Sequence, residues 1–119
     1  YGLRKRGFLL FAGVLEPRKN IDRLLHAYLE SGVTMPLVLV GPVTDASDEM
    51  IKRIPFVSPL DIGKGFDPLQ SGARLLRLGH VSRPILIELI QTARAVLMPS
   101  LYEGFGLPPL EAILLGTPV

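Results

Sequence analysis

The sequence predicts an α/β fold, a Rossmann-like parallel sheet with helices on both faces, and three observations predict it. Short, uninterrupted apolar runs such as FLLFAG (8–13) and LVLV (37–40) have the pattern of strands buried on both faces. Between such runs the apolar residues change to helical spacing. Gly or Pro closes each run, so turns separate the elements. Strands alternating with helices in this way imply a parallel sheet with right-handed crossovers.

The elements follow in order. The first strand, 8–13, ends in Gly13. From Asn20, the natural N-cap, Ile21, Leu24, Leu25, Tyr28 and Leu29 recur at the spacing of one helix face. MPLVLVGP (35–42) is the second strand, with Pro36 tolerated at its start and Gly41-Pro42 closing it. Residues 43–72 are the least regular stretch, with a short helix expected in SDEMIKRI, capped by Ser47. ARLLRLG (73–79) is the third strand. Ser82 and Pro84 open a second helix whose apolar face is Ile85, Leu86, Leu89, Ile90 and Ala93. AVLMPS (95–100) is the fourth strand, stopped by Pro99. PPLEAILLG is a helix with prolines in its first turn and Gly116 as its left-handed terminator, and TPV would begin a fifth strand.

The 119 residues suffice for one domain or part of one, with a single buried core. Hydrophobic residues make up 48% and charged residues only 20%, so part of the surface is expected to face something outside the chain. The longest apolar runs fall well short of the roughly 20 residues a spanning helix needs. There is no cysteine, which excludes disulfide, thiolate and cysteine-metal chemistry. The formal charge is only +2, and Arg4, Lys5 and Arg6 at one end more than account for it. The other basic residues are scattered without stacking aromatics between them, which argues against nucleic acid as a partner.

In parallel sheets ligands bind beyond the carboxyl ends of the strands, where the strand order reverses. Two loops in that position carry unusual residues. GVLEPRKN (13–20) delivers Arg18 and Lys19 to a helix start, where the dipole disfavours cations, so an anionic ligand such as phosphate is one reading; a solvated loop pairing Glu16 with either cation is the other. PSLYEGFGLPPLE (99–111) sets Glu103 in a loop and Glu111 about one turn into a helix. Gly104 and Gly106 let backbone approach a ligand closely, and a carboxylate suits a vicinal diol. On the residues alone, Glu111 could equally complement its helix dipole, with Glu103 solvated.

Phe11 to Leu25, Leu37 to Gly41, Leu78 to Ser82 and above all PSLYEGFGLPPLEAILLGTPV resemble the C-terminal, nucleotide-sugar-binding domain of family 4 retaining glycosyltransferases of GT-B fold. The resemblance covers nearly the whole chain. EGFGLPPLE carries that family's two glutamates with seven residues between them and the internal glycines intact. The resemblance implies that Glu111 binds the ribose and that Glu103 lies beside the donor sugar, with Glu103 and Lys19 in catalytic roles. It implies that the backbone of Gly104, Phe105, Gly106 and Leu107 lines the sugar and diphosphate, with Lys19 on phosphate. Many members have an arginine where Val14 stands here, and Arg18 is the candidate substitute. His80, Val81 and Ser82 would lie near the nucleobase, Val81 in contact with it, and His80 is not read as a catalytic base. No metal or other cofactor is implied, and Asp45 and Asp48 are read as helix-start residues.

The resemblance further implies that residues 1–119 are a partial donor-binding domain, truncated at its C-terminal end and without the N-terminal acceptor domain. The expected reaction is transfer of a sugar from a nucleotide-sugar, leaning to GDP-mannose with UDP-glucose open, to a glycan or lipid-linked acceptor with retention. The chain alone is expected to be inactive and to self-associate. The full-length protein is expected in the cytoplasm or peripherally at the inner face of the membrane. A non-catalytic or epimerase-type nucleotide-sugar-binding domain of the same fold is the alternative. A flavodoxin-like receiver would need an acidic cluster at the strand ends, which is absent.

Overall fold

The computed structural model of the chain describes residue 3 and residues 5–16, 19–42, 75–100 and 107–119. Within them, four parallel strands form one sheet: β1 (Leu9–Ala12), β2 (Leu37–Val40), β3 (Leu75–Gly79) and β4 (Ala95–Val96), in the order β3-β2-β1-β4. Three helices accompany them: α1 (Ile21–Glu30), α2 (Arg83–Thr92) and α3 (Leu107–Leu114). The chain steps outward from β1 to β3 and then returns to place β4 on the other side of β1. The order therefore reverses between β1 and β4.

The two-residue period of the strands divides the core into two. Leu10, Ala12, Val38, Val40, Leu76 and Leu78 point to one face and pack with Leu89, Ile90 and Ala93 at α2 and Ala112 of α3. Phe11, Leu37, Leu39 and Leu75 point to the other and meet Ile21, Leu25 and Tyr28 of α1. Both faces are thus covered, which is why the strands are apolar throughout rather than alternating. Each of the fully buried leucine, isoleucine and phenylalanine side chains contributes about 1.5–3 kcal/mol by leaving water. No helix among the described residues is long and apolar enough to cross a membrane.

Several local expectations change. Asn20 occupies the N-cap position of α1 but takes a left-handed conformation, φ 60°, and its side chain makes no cap hydrogen bond. Its amide instead donates to the carbonyl of Pro99, 3.2 Å away, across the β1–β4 crevice. Leu29 is 44% exposed, because Tyr28 takes the inward position and anchors its hydroxyl on the Met35 carbonyl at 2.6 Å. Ile85 lies in the first turn of α2 and is exposed; the buried stripe begins beyond it. The fourth strand is only two residues long, with Leu97 adding one further bond to the Leu10 carbonyl, 2.8 Å. TPV forms no strand, although the Val96 amide donates to the Pro118 carbonyl at 2.8 Å on the free side of β4. Gly116 does end α3 in the left-handed region, and buried Thr117 ties that end to α2 by donating to the Ile90 carbonyl at 2.6 Å. The helix expected in SDEMIKRI and the first two residues of the third predicted strand lie outside the described residues.

Candidate donor-binding cleft

The carboxyl ends of β1, β2 and β3 open into a cleft of about 290 Å³ on the α2–α3 side of the sheet. Its floor is made where the chain leaves the sheet: Gly13 and Val14 after β1, Gly41 and Pro42 after β2, and His80 and Val81 after β3. Its wall is Arg83, Leu86 and Ile90 of α2 with Glu111 of α3. Three strands ending together hold this floor in register. The amides of Gly13, Gly41 and Leu15 donate to the carbonyls of Val40, Gly79 and Pro42 at 2.9, 2.7 and 2.8 Å.

The tightest point of the floor is between the two glycines. Gly41 has φ 135°, and a Cβ there would lie 1.8 Å from the carbonyl oxygen of Gly13 and 2.6 Å from its carbon. No side chain fits, and the atoms in the way are backbone. The glycine ending β2 is therefore required by the way β1 and β2 leave the sheet side by side.

The other end of the cleft is charged. The Arg83 guanidinium donates to both carboxylate oxygens of Glu111, Nη2 to Oε1 at 2.9 Å and Nη1 to Oε2 at 3.4 Å. This is the two-pronged geometry that arginine forms with carboxylates. The pair joins the first turn of α2 to α3, with the Glu111 side chain 30% exposed and that of Arg83 63% exposed.

Lys19 sits in the loop after β1 and is only 6% exposed, unusual for a lysine. Its chain runs alongside Gly13, where a Cβ would come within 3.9 Å of Lys19 Cε. The loop holding it is fixed at both sides: its own amide donates to the Glu16 carbonyl at 3.0 Å, and the neighbouring Asn20 makes the bridge to Pro99. The loop after β1 and the loop after β4 are therefore hydrogen-bonded to each other beyond the point where strand order reverses.

Of the residues singled out from the sequence, Val14, His80, Val81 and Glu111 reach the cleft and Lys19 lies against its Gly13 edge. Ser82 is exposed at the start of α2 and caps nothing with its side chain. Arg18, Glu103, Gly104, Phe105 and Gly106 lie outside the described residues, as do Asp45 and Asp48. Leu107 is the first residue of α3. Among the described residues no group of three or more His, Asp or Glu is placed to hold a metal. Sequence reasoning missed Arg83. The signal was available: a cation at a helix start, which the dipole disfavours, just as at Lys19.

The sequence matches the family "Glycosyl transferases group 1" over residues 3–119, and the chain belongs to that family. It is 36% identical to O-antigen chain mannosyltransferase B of Escherichia coli over 126 aligned positions that take in 100% of this chain and 29% of the relative. It is 33% identical to a D-inositol 3-phosphate glycosyltransferase of Mycolicibacterium paratuberculosis, covering 96% of this chain and 24% of that one. The chain thus spans less than a third of either relative. Among solved structures, Anabaena Alr3699/HepE in complex with UDP and glucose superposes with a TM-score of 0.67 at 23% identity, covering 96% of this chain and 29% of that one. AviGT4, a glycosyltransferase involved in avilamycin A biosynthesis, gives 0.63 at 24% identity, with 98% and 32% coverage. The parallel sheet with its helices matches the Rossmann-like fold of these GT-B neighbours.

Proposed function

We propose that this chain is the donor-binding part of a retaining glycosyltransferase that moves a sugar, with mannose from GDP-mannose favoured, to a glycan or lipid-linked acceptor. One observation carries the reading: a chain of the group 1 family keeps the Glu103–Glu111 spacing, and Glu111 comes out on the wall of a cleft at the carboxyl ends of the strands. In this reading the Glu111 carboxylate accepts from the ribose hydroxyls, and His80 and Val81 border the nucleobase. The glycine floor admits the nucleotide close to backbone. Lys19 and the amides of residues 104–107 meet the diphosphate, with Arg18 the lesser cation, and Glu103 faces the sugar.

The chemistry asked of these groups is stabilisation of the charge that builds on the departing diphosphate. A fixed ammonium and backbone N–H groups supply that without reorganising. The acceptor, deprotonated by the leaving phosphate, attacks from the face the nucleotide leaves. A group on another part of the full-length protein must position the acceptor, since orientation supplies much of the rate. For this reason the isolated chain is expected to transfer no sugar. No metal is needed in this scheme.

The mannosyltransferase relative favours GDP-mannose. The neighbour solved with UDP and glucose keeps UDP-glucose as the second reading. Incubation of the full-length protein with each donor and a polysaccharide-repeat or polyprenyl-linked acceptor, followed by NMR of the product, tests both. An α-linked mannosyl product from GDP-mannose is expected. A β-linked product would overturn retention, and hydrolysis or epimerisation of the donor without transfer would favour an epimerase-type domain.

A further inference from the structure

We infer that Arg83 is a positioning residue for nucleotide binding: its guanidinium fork orients the Glu111 carboxylate while leaving an outer lone pair on each oxygen to accept from a ribose hydroxyl. The inference rests on the donor-site reading of the cleft and adds to it a residue that the two-glutamate motif does not contain.

A carboxylate has about four acceptor positions, two on each oxygen. Arg83 approaches both oxygens, at 2.9 and 3.4 Å, and takes one position on each. The fork takes the inner position on each oxygen, and the outer position left on each can accept from one hydroxyl. A lysine or a single-pronged donor would leave the carboxylate free to swivel, whereas two parallel contacts fix its plane. Both partners line the same cleft, so the carboxylate whose plane is fixed borders the space a ligand would enter.

The placement of Arg83 supports a role at the site over one in folding. It is the first residue of α2, where the helix dipole works against a positive charge, and its side chain is 63% exposed. An exposed pair of this kind adds little to folding. Residues that do hold α2 to α3 are present elsewhere: Thr117 bonds the Ile90 carbonyl, and Ala112 is fully buried against the sheet. The arginine is thus dispensable to the packing and remains in contact with the carboxylate that the ligand needs.

Calorimetry on the full-length protein separates the possibilities, using GDP and UDP with their 2′,3′-dideoxy forms as probes. Arg83→Gln should weaken binding of the ribose nucleotide about two- to fivefold, the range set by an exposed ion pair, and leave the dideoxy form unchanged. In a Glu111→Gln background the same substitution should have no further effect. Weaker binding of both forms alike, or an unchanged affinity for the ribose nucleotide while Glu111→Gln lowers it, would overturn the role of Arg83 alone. A wild-type protein that binds none of the probes, or a Glu111→Gln protein that binds as wild type, would overturn the donor-site reading and this inference with it. Because Arg83 is largely exposed, an unchanged thermal unfolding curve is expected for the variant and would confirm that the comparison is between folded proteins.

Discussion

The two ends of the cleft are built in opposite ways. At the glycine end, β1 and β2 leave the sheet so close together that the Gly13 carbonyl occupies the place a Gly41 side chain would need. At the charged end, Arg83 and Glu111 reach across from two helices and are held by each other, partly in solvent. The first end is set by backbone and leaves no room for a side chain at Gly41. The second is set by side chains and can be tuned without disturbing the sheet. In the proposed donor site the first would supply a rigid surface and the second adjustable groups.

The sharpest way to break this contrast is at the rigid end. Gly41→Ala should destabilise the protein by roughly 2–5 kcal/mol, since backbone must move and the residue is held at an unfavourable φ. Gly13→Ala should be milder, because its nearest neighbours would be side-chain atoms of Phe11 and Lys19 at 3.6 Å or more. Urea unfolding of the two variants checks the order. Equal losses would mean that the crowding between the two strands relaxes easily.

Lys19 lies between the extremes, a charged residue whose stem is buried against the rigid end. Replacing it with alanine would mix lost packing with lost charge, so Lys19→Met is the better variant. In the full-length protein it should reduce nucleoside diphosphate affinity by about 1.5–3 kcal/mol, with nucleoside monophosphate affected far less. Arg18→Ala should have a smaller effect. The reverse order would assign the phosphate to Arg18 and leave Lys19 as a packing residue.

The smallest effect is expected where the two loops meet. Asn20→Gly keeps the left-handed backbone available and removes only the hydrogen bond to Pro99. It should lower stability by about 0.5–1.5 kcal/mol in the same unfolding assay. A loss well beyond that would show that the loop after β1 depends on the loop after β4 for its whole conformation.

What the sequence disclosed follows the same division. Strands and helices were legible because burial on both faces writes itself as LVLV and LLFA, and burial on one face writes itself as the spacing of Ile21, Leu25 and Tyr28. The glutamate spacing and glycines marked the loop after β4, and Glu111 does reach the cleft. Contacts between distant segments were not legible. Nothing local links Arg83 to Glu111 or Asn20 to Pro99, 28 and 79 positions apart. Asn20 also illustrates how one residue type serves two ends: asparagine favours helix caps and the left-handed region alike, and here the second preference prevails. Ile85 and Leu29 satisfied the helical period, yet both are exposed, Ile85 in the first turn of α2 and Leu29 beside the anchored Tyr28.

The central claim is that Glu111 belongs to a nucleotide-sugar donor site, and steady-state kinetics of the full-length Glu111→Gln variant test it most directly. Loss of a charge-assisted hydrogen bond of about 1.5–3 kcal/mol predicts a donor KM raised by roughly ten- to a hundredfold, with the acceptor KM unchanged. A donor KM equal to that of the wild type would remove Glu111 from the site and contradict the account.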